Sequence, residues 1–207
     1  MQGYALSAIN NVGAGAHDSP FIFSNFFRDV EGAVPYNLQF YFLCVIISTQ
    51  RRGAFMKKIM FVCHGNICRS PMAEYLLRDM LEKAGIRDVK VSSCATSTEE
   101  IWNGIGNPVY PPVKRLLEAR GINCDEKRAV QLKKSDYGEY DAFFVMDSNN
   151  LRNALRILCG DPEGKVRKLM ELTGKNEDVS DPWYTRDFEA TERDLSAACE
   201  VLVKLLK

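Results

Sequence analysis

The sequence predicts an α/β protein, a parallel sheet with helices on both faces, built from residues 56–207. Three observations predict it. Short apolar runs alternate with amphipathic helical stretches, and that order calls for parallel strands joined by crossover helices. The helical stretches carry start and stop signals, with Ser-Pro or Asp-Ser before them and Gly after them. The composition also changes near residue 56: residues 1–55 hold seven of the eleven Phe and no Lys, whereas six of the seven Cys follow.

Each element is read in order. Ile59-Met60-Phe61-Val62 is an apolar run ending at Cys63, a buried strand. Ser70 is expected as an N-cap with Pro71 at the first helical position. The helix continues to Ala84, with Met72, Leu76 and Met80 on one face and Ala73 and Leu77 beside them, and Gly85 closes it. Val89-Lys90-Val91 is a second strand. Pro111 to Arg120 is a helix stopped by Gly121. Ala142 to Met146 is a third strand, and Asp147 and Ser148 cap a helix through Leu158. Val166 to Met170 reads as a fourth strand. A last helix runs from about Ala190 to Leu206, with Leu195, Ala198, Leu202 and Leu205 inward.

Residues 1–55 stand apart. Their apolar run, Phe40 to Ile47, is too short for a membrane helix, which needs about 20 residues. It also lacks the adjacent basic region of a signal peptide. These residues are expected to be a disordered or untranslated extension. Met56-Lys57-Lys58 resembles a start, and Arg51-Arg52-Gly53 would fit the translation of a purine-rich ribosome-binding site. AGA or AGG codons at 51 and 52 would support this, and CGN codons would overturn it.

Composition excludes several function classes. Lys+Arg and Asp+Glu are both 27, so the chain lacks the overall basic field of a nucleic-acid binder. His17 and His64 are the only histidines, which argues against multi-His metal sites and Ser-His-Asp machinery. Seven cysteines without a CxxC pair suit free thiols in a reducing compartment, so a cytoplasmic location is expected, without membrane insertion.

The chemistry concentrates in Cys63-His64-Gly65-Asn66-Ile67-Cys68-Arg69-Ser70-Pro71. A loop entering a helix N-terminus turns successive backbone N–H groups inward and forms an anion cradle. Gly65 and Asn66 tolerate the positive φ such a cradle demands. Arg69 suits two phosphate oxygens. Cys63 faces the helix dipole and that guanidinium, both of which favour a thiolate nucleophile. The Ser70 hydroxyl suits a donor to the sulfur. Cys-x5-Arg alone is a weak signal; the strand before it and the Ser-Pro helix start after it make it specific. The second element is Asp181-Pro182-Trp183-Tyr184. Displacing an oxygen from phosphorus needs an acid, and Pro182 biases Asp181 toward an extended conformation. Taken alone, this motif is better read as an Asp-Pro turn with two surface aromatics.

Together, VCHGNICRSPMAE (62–74) and DPWY (181–184) resemble the low-molecular-weight protein tyrosine phosphatases. SSCATSTEE (92–100), GNPVYPP (106–112), RAVQL (128–132) and VMDSNNLRN (145–153) extend the resemblance across residues 56–207, and residues 1–55 have no counterpart. The resemblance implies a four-stranded, flavodoxin-like parallel sheet and no metal or cofactor. It implies phosphotyrosine hydrolysis through a phosphocysteine. Cys63 would be the nucleophile and Asp181 the acid and then the base. Arg69 and the loop residues His64, Gly65, Asn66, Ile67, Cys68 and Ser70 would hold the phosphoryl group. Trp102, Trp183 and Tyr184 would form the substrate rim, and Asp147 would join the polar network beneath the loop. Ile67 stands where phosphoarginine phosphatases of the family carry Thr. Lys127 stands where many relatives carry His. Cys68 would form a reversible disulfide with the nucleophile, whereas Cys94, Cys124, Cys159 and Cys199 are expected to fill the core. The spacing of Cys124 and Cys159 from Cys63 argues against arsenate reduction, and Arg69 with Asp181 argues against a mere phosphocysteine carrier. A phosphotyrosyl protein is the expected partner, and the protein itself a monomer or weak dimer.

Overall fold

A computed structural model describes residues 56–207. The apolar run Phe40–Ile47, His17, Cys44 and the expected character of residues 1–55 lie outside the described residues. Six strands are assigned: β1 (Lys58–Cys63), β2 (Lys90–Ala95), β3 (Ile101–Trp102), β4 (Ile105–Gly106), β5 (Ala142–Val145) and β6 (Val166–Lys168). The α-helices are α1 (Arg69–Lys83), α2 (Pro111–Ala119), α3 (Asp136–Glu139), α4 (Ser148–Leu158), α5 (Pro182–Thr185) and α6 (Phe188–Leu205).

Four strands form one parallel sheet in the order β2-β1-β5-β6. Ile59 pairs with Val91 on one side and with Ala142 on the other. Both faces of β1 are covered, which is why the sequence shows an unbroken apolar run rather than alternation. Ile59 and Phe61 pack with Met72, Leu76, Leu195 and Leu202 on one face. Met60 and Val62 pack with Phe143, Ala154 and Leu158 on the other.

The order has a functional consequence. From β1 the chain passes through α1 to β2 on one side, while from β5 it passes through α4 to β6 on the other. The loops leaving β1 and β5 therefore diverge and leave a crevice beyond the strands' carboxyl ends, where open α/β sheets bind ligands.

Several expectations are corrected. Ser70 is not the N-cap of α1. The helix begins at Arg69, Cys68 occupies the cap position without a side-chain cap bond, and Ser70 sits in the first turn. Pro71 is still accommodated there, because first-turn N–H groups have no intrahelical acceptor. The fourth strand stops at Lys168, and Leu169–Thr173 wind into a 3₁₀ helix. Cys159 does not fill the core. It is exposed and caps α4 in the left-handed region at φ 63°, whereas Cys94, Cys124 and Cys199 are buried.

Candidate active site

The loop 64–68 leaves the buried end of β1 and enters α1. The Cys63 carbonyl accepts from Thr96 N–H and the His64 carbonyl from Ser97 N–H, tying the loop's start to the end of β2. Ile67 O accepts from Tyr110 N–H. These bonds consume carbonyls. The N–H groups of Gly65, Ile67 and Cys68 have no acceptor among the described residues. Donors without acceptors, at a helix N-terminus, form an anion-binding concavity.

Asn66 is the residue in the left-handed region, at φ 57°. Gly65, expected to share that role, has ordinary φ. Its lack of a side chain answers a different need, since a Cβ there would stand 2.9 Å from Glu100 Cγ. Asn66 is buried, and its amide is fully used. Nδ2 donates to Ser70 Oγ (2.9 Å) and Ser93 Oγ (2.8 Å), and Oδ1 accepts from Val130 N–H (3.0 Å). The Asn66 backbone N–H points at Cys63 Sγ, 3.3 Å away, and Ser70 Oγ lies 3.0 Å from the same sulfur. The network continues inward. Ser93 Oγ donates to Glu74 Oε2 (2.6 Å), which also meets Lys127 Nζ (3.0 Å), while Arg78 binds the other Glu74 oxygen (2.6 Å). Lys127 Nζ donates as well to the Ser93 carbonyl (3.1 Å).

Arg69 is buried between two carboxylates. Nη1 lies 2.8 Å from Asp147 Oδ2 and Nη2 2.7 Å from Asp181 Oδ2. Burial opposes its charge, but Cys63, Asp181 and Asp147 outweigh burial and raise its pKa above the usual arginine value. Asp147 is also the N-cap of α4, accepting from Asn150 N–H. Asp181 has the extended backbone expected before Pro182 and caps α5 through Trp183 N–H (3.0 Å). Burial and the neighbouring Cys63 push the Cys68 thiol up to about 12, despite Arg69 beside it.

These groups surround a cavity of about 350 Å³. Of the residues singled out from sequence, Cys63, His64, Gly65, Ile67, Cys68, Arg69, Asp147, Asp181, Trp183 and Tyr184 line it, so Asp147, expected beneath the loop, reaches the cavity wall. Asn66 and Ser70 lie beneath it in the network. Trp102 is outside the lining, on the β3–β4 hairpin, exposed beside its cross-strand partner Ile105. Sequence reasoning missed Glu99 and Glu100 in the wall, and Tyr110, whose ring packs 5.7 Å from Trp183. Glu99 holds His64 Nε2 at 2.9 Å. It also missed Glu74, Arg78 and Ser93. An acidic residue amid the apolar face of α1 was the one available signal for Glu74. Among the described residues no group of three or more His, Cys, Asp or Glu is placed to hold a metal ion, and no helix is long and apolar enough to cross a membrane.

A cysteine-bearing loop of this kind between a parallel strand and a helix, facing an Asp-Pro motif, defines a class of α/β protein with an anion-binding loop at the end of its sheet. Comparison with known proteins makes the class specific. The family model described as low molecular weight phosphotyrosine protein phosphatase matches residues 58–207. Low molecular weight phosphotyrosine protein phosphatase 1 of Drosophila melanogaster is 34% identical over 157 residues, covering 72% of this chain and 96% of the fly protein. The Bacillus subtilis protein-tyrosine-phosphatase YfkJ is 34% identical over 152 residues, 72% of this chain and 94% of its own. The crystal structure of YfkJ superposes with a TM-score of 0.67 at 31% identity, over 74% of this chain and 96% of that one. A Streptococcus pyogenes low molecular weight protein tyrosine phosphatase gives 0.63 at 33%, over 73% and 94%. The chain belongs to the low molecular weight phosphotyrosine protein phosphatase family and is an enzyme of the protein-tyrosine-phosphatase type.

Proposed function

We propose that this enzyme hydrolyses phosphotyrosine in proteins, and small aryl phosphates, in two steps through a phosphocysteine. Cys63 Sγ attacks phosphorus in line, and Asp181 gives its proton to the departing phenol oxygen. Water then attacks the phosphocysteine with Asp181 as base, and the sulfur leaves as thiolate, supported by Asn66 N–H and the Ser70 hydroxyl. Arg69 and the free loop N–H groups stabilise the equatorial oxygens of both transition states. The observation that carries this reading is the convergence of Cys63 Sγ, the Arg69 guanidinium and the Asp181 carboxylate on one cavity.

Trp183 and Tyr184 form one wall for an aromatic leaving group. The aliphatic Ile67 in the loop supports phosphotyrosine over phosphoarginine. Cys68 supplies redox protection: peroxide converts Cys63 to a sulfenic acid with release of water, and the Cys68 thiol displaces a second water to close a disulfide. Both thiols are free in this structure. The reaction needs no metal, and we place the enzyme in the cytoplasm as a monomer or weak dimer.

The test is hydrolysis of p-nitrophenyl phosphate in the presence of a chelator, followed by phosphotyrosine, phosphoserine and phosphoarginine substrates. The reading expects turnover of the first two aryl compounds, p-nitrophenyl phosphate and phosphotyrosine, and its loss in Cys63→Ser. Full activity in Cys63→Ser, or a preference for phosphoarginine, overturns it.

A further inference from the structure

We propose that Lys168 and Asp178 form a positioning pair for Asp181 and so set how well the enzyme expels poor leaving groups. The proposal rests on the assignment of Asp181 as proton donor made above. Lys168 ends β6 and is 8% exposed, a buried cation that the phosphoryl chemistry does not use. Its Nζ lies 3.0 Å from Asp178 Oδ1 and 3.4 Å from the Asn176 carbonyl. Burying an ammonium is costly unless it is paired and hydrogen-bonded. Residues 176–178 therefore cannot drift away without stranding that charge, and the start of the segment leading to Asp181 is fixed.

Asp178 reaches the site from a second direction. Its Oδ1 accepts from Ser148 Oγ at 3.3 Å, and Ser148 follows Asp147, whose carboxylate holds Arg69. Burial works against charge on Asp178, but the Lys168 and Ser148 hydrogen bonds hold its carboxyl below the ordinary value. The contacts close a ring: Arg69 to Asp147, Ser148 to Asp178, and Asp181 back to Arg69. Within the ring, Val179 N–H donates to the Met146 carbonyl (2.8 Å), Ser180 N–H donates to Asp194 (3.0 Å), and Thr191 Oγ1 donates to the Ser180 carbonyl (2.8 Å). Three anchored backbone groups, on Val179 and Ser180, thus precede Asp181 directly, and the Lys168–Asp178 pair holds the residue before them.

An acid displaced by a fraction of an ångström loses most for leaving groups that need protonation and least for those that leave as stable anions. The experiment compares kcat/KM for phenyl phosphate and for 2,4-dinitrophenyl phosphate in wild type, Lys168→Met, Lys168→Arg and Asp178→Asn. Because both substrates are read on the same preparation, the ratio does not depend on the folded fraction. Lys168→Met is expected to lower phenyl phosphate turnover about 10-fold and dinitrophenyl phosphate turnover less than about 2-fold, with Lys168→Arg restoring most of the ratio. Asp178→Asn, on a half-exposed side chain, should move the ratio in the same direction even if Lys168→Met does not fold. An unchanged ratio in Asp178→Asn, or equal losses on both substrates in Lys168→Met, overturns the proposal. Asp181→Asn is the control for the assignment beneath it: a wild-type ratio in that variant overturns the acid role itself.

Discussion

Asp181 Oδ2 lies 2.7 Å from Arg69 Nη2, joining the start of α1 to the Asp-Pro motif that opens α5. A substrate phosphoryl group must therefore take over a guanidinium nitrogen that a carboxylate holds. Asp181→Asn weakens that hold while removing the proposed proton donor. It should lower kcat/KM for phenyl phosphate by about 10²- to 10³-fold and leave vanadate inhibition equal or stronger. Arg69→Lys keeps one charge but loses the planar fork, and should cost about 10²-fold or more in kcat together with weaker vanadate binding. Steady-state kinetics with vanadate titration measures both.

The Glu74–Lys127 pair is buried, with Glu74 also bound to Arg78. Lys127→Met should destabilise the fold by about 3 kcal/mol, the lower end of the range for breaking a buried pair, because Arg78 remains as a partner. Adding Glu74→Gln to Lys127→Met should recover part of that loss. Urea unfolding of the single and double variants reads the coupling.

With its thiol near 12, Cys68 is protonated throughout the working range. Burial and the neighbouring Cys63 hold it as the thiol at pH 7, so alkylation there should spare it. Iodoacetamide at pH 7 followed by peptide mapping should find label on Cys63, and on the exposed Cys159, long before Cys68. Cys68 labelling should accelerate only as pH rises toward 12. Vanadate should protect Cys63 and leave Cys159 reactive.

Two glycines near the site should behave differently. A Cβ on Gly65 would meet the Glu100 side chain, which can swing aside. A Cβ on Gly106 would stand 1.9 Å from the Ala129 carbonyl oxygen, which is backbone. Gly106→Ala must push away the segment whose next residue, Val130, donates to Asn66. It should destabilise by about 2–4 kcal/mol and depress kcat, while Gly65→Ala stays within about 1 kcal/mol of wild type. Thermal unfolding and kinetics on both variants check this.

Much of the fold was legible because its signals are local. β1 and β5 are continuous apolar runs, α2 opens on Pro111 and stops before Gly121, and α4 is capped by the adjacent Asp147. The loop 63–69 was legible because strand, turn residues and helix start are contiguous. What escaped depends on contacts between distant segments. Ser70 reads as a cap from its neighbours, yet its hydroxyl is committed to Asn66 and Cys63. The two-residue strands β3 and β4 are too short to show a period, and Leu169–Thr173 continue an apolar run in a different backbone state. Glu74, Ser93 and Lys127 converge from α1, β2 and a loop, so no window of sequence contains them together.

All four strands of the main sheet point the same way, so the described residues have a carboxyl end, where the Cys63 loop and Asp147 stand, and an amino end opposite. Helix α4 starts at the first with Asp147 and finishes at the second with Cys159, about 16 Å along its axis. That exposed thiol is a natural handle for a fluorophore or a surface tether, and a molecule immobilised through it would keep the cavity beside Cys63 at the far end of the sheet from the attachment.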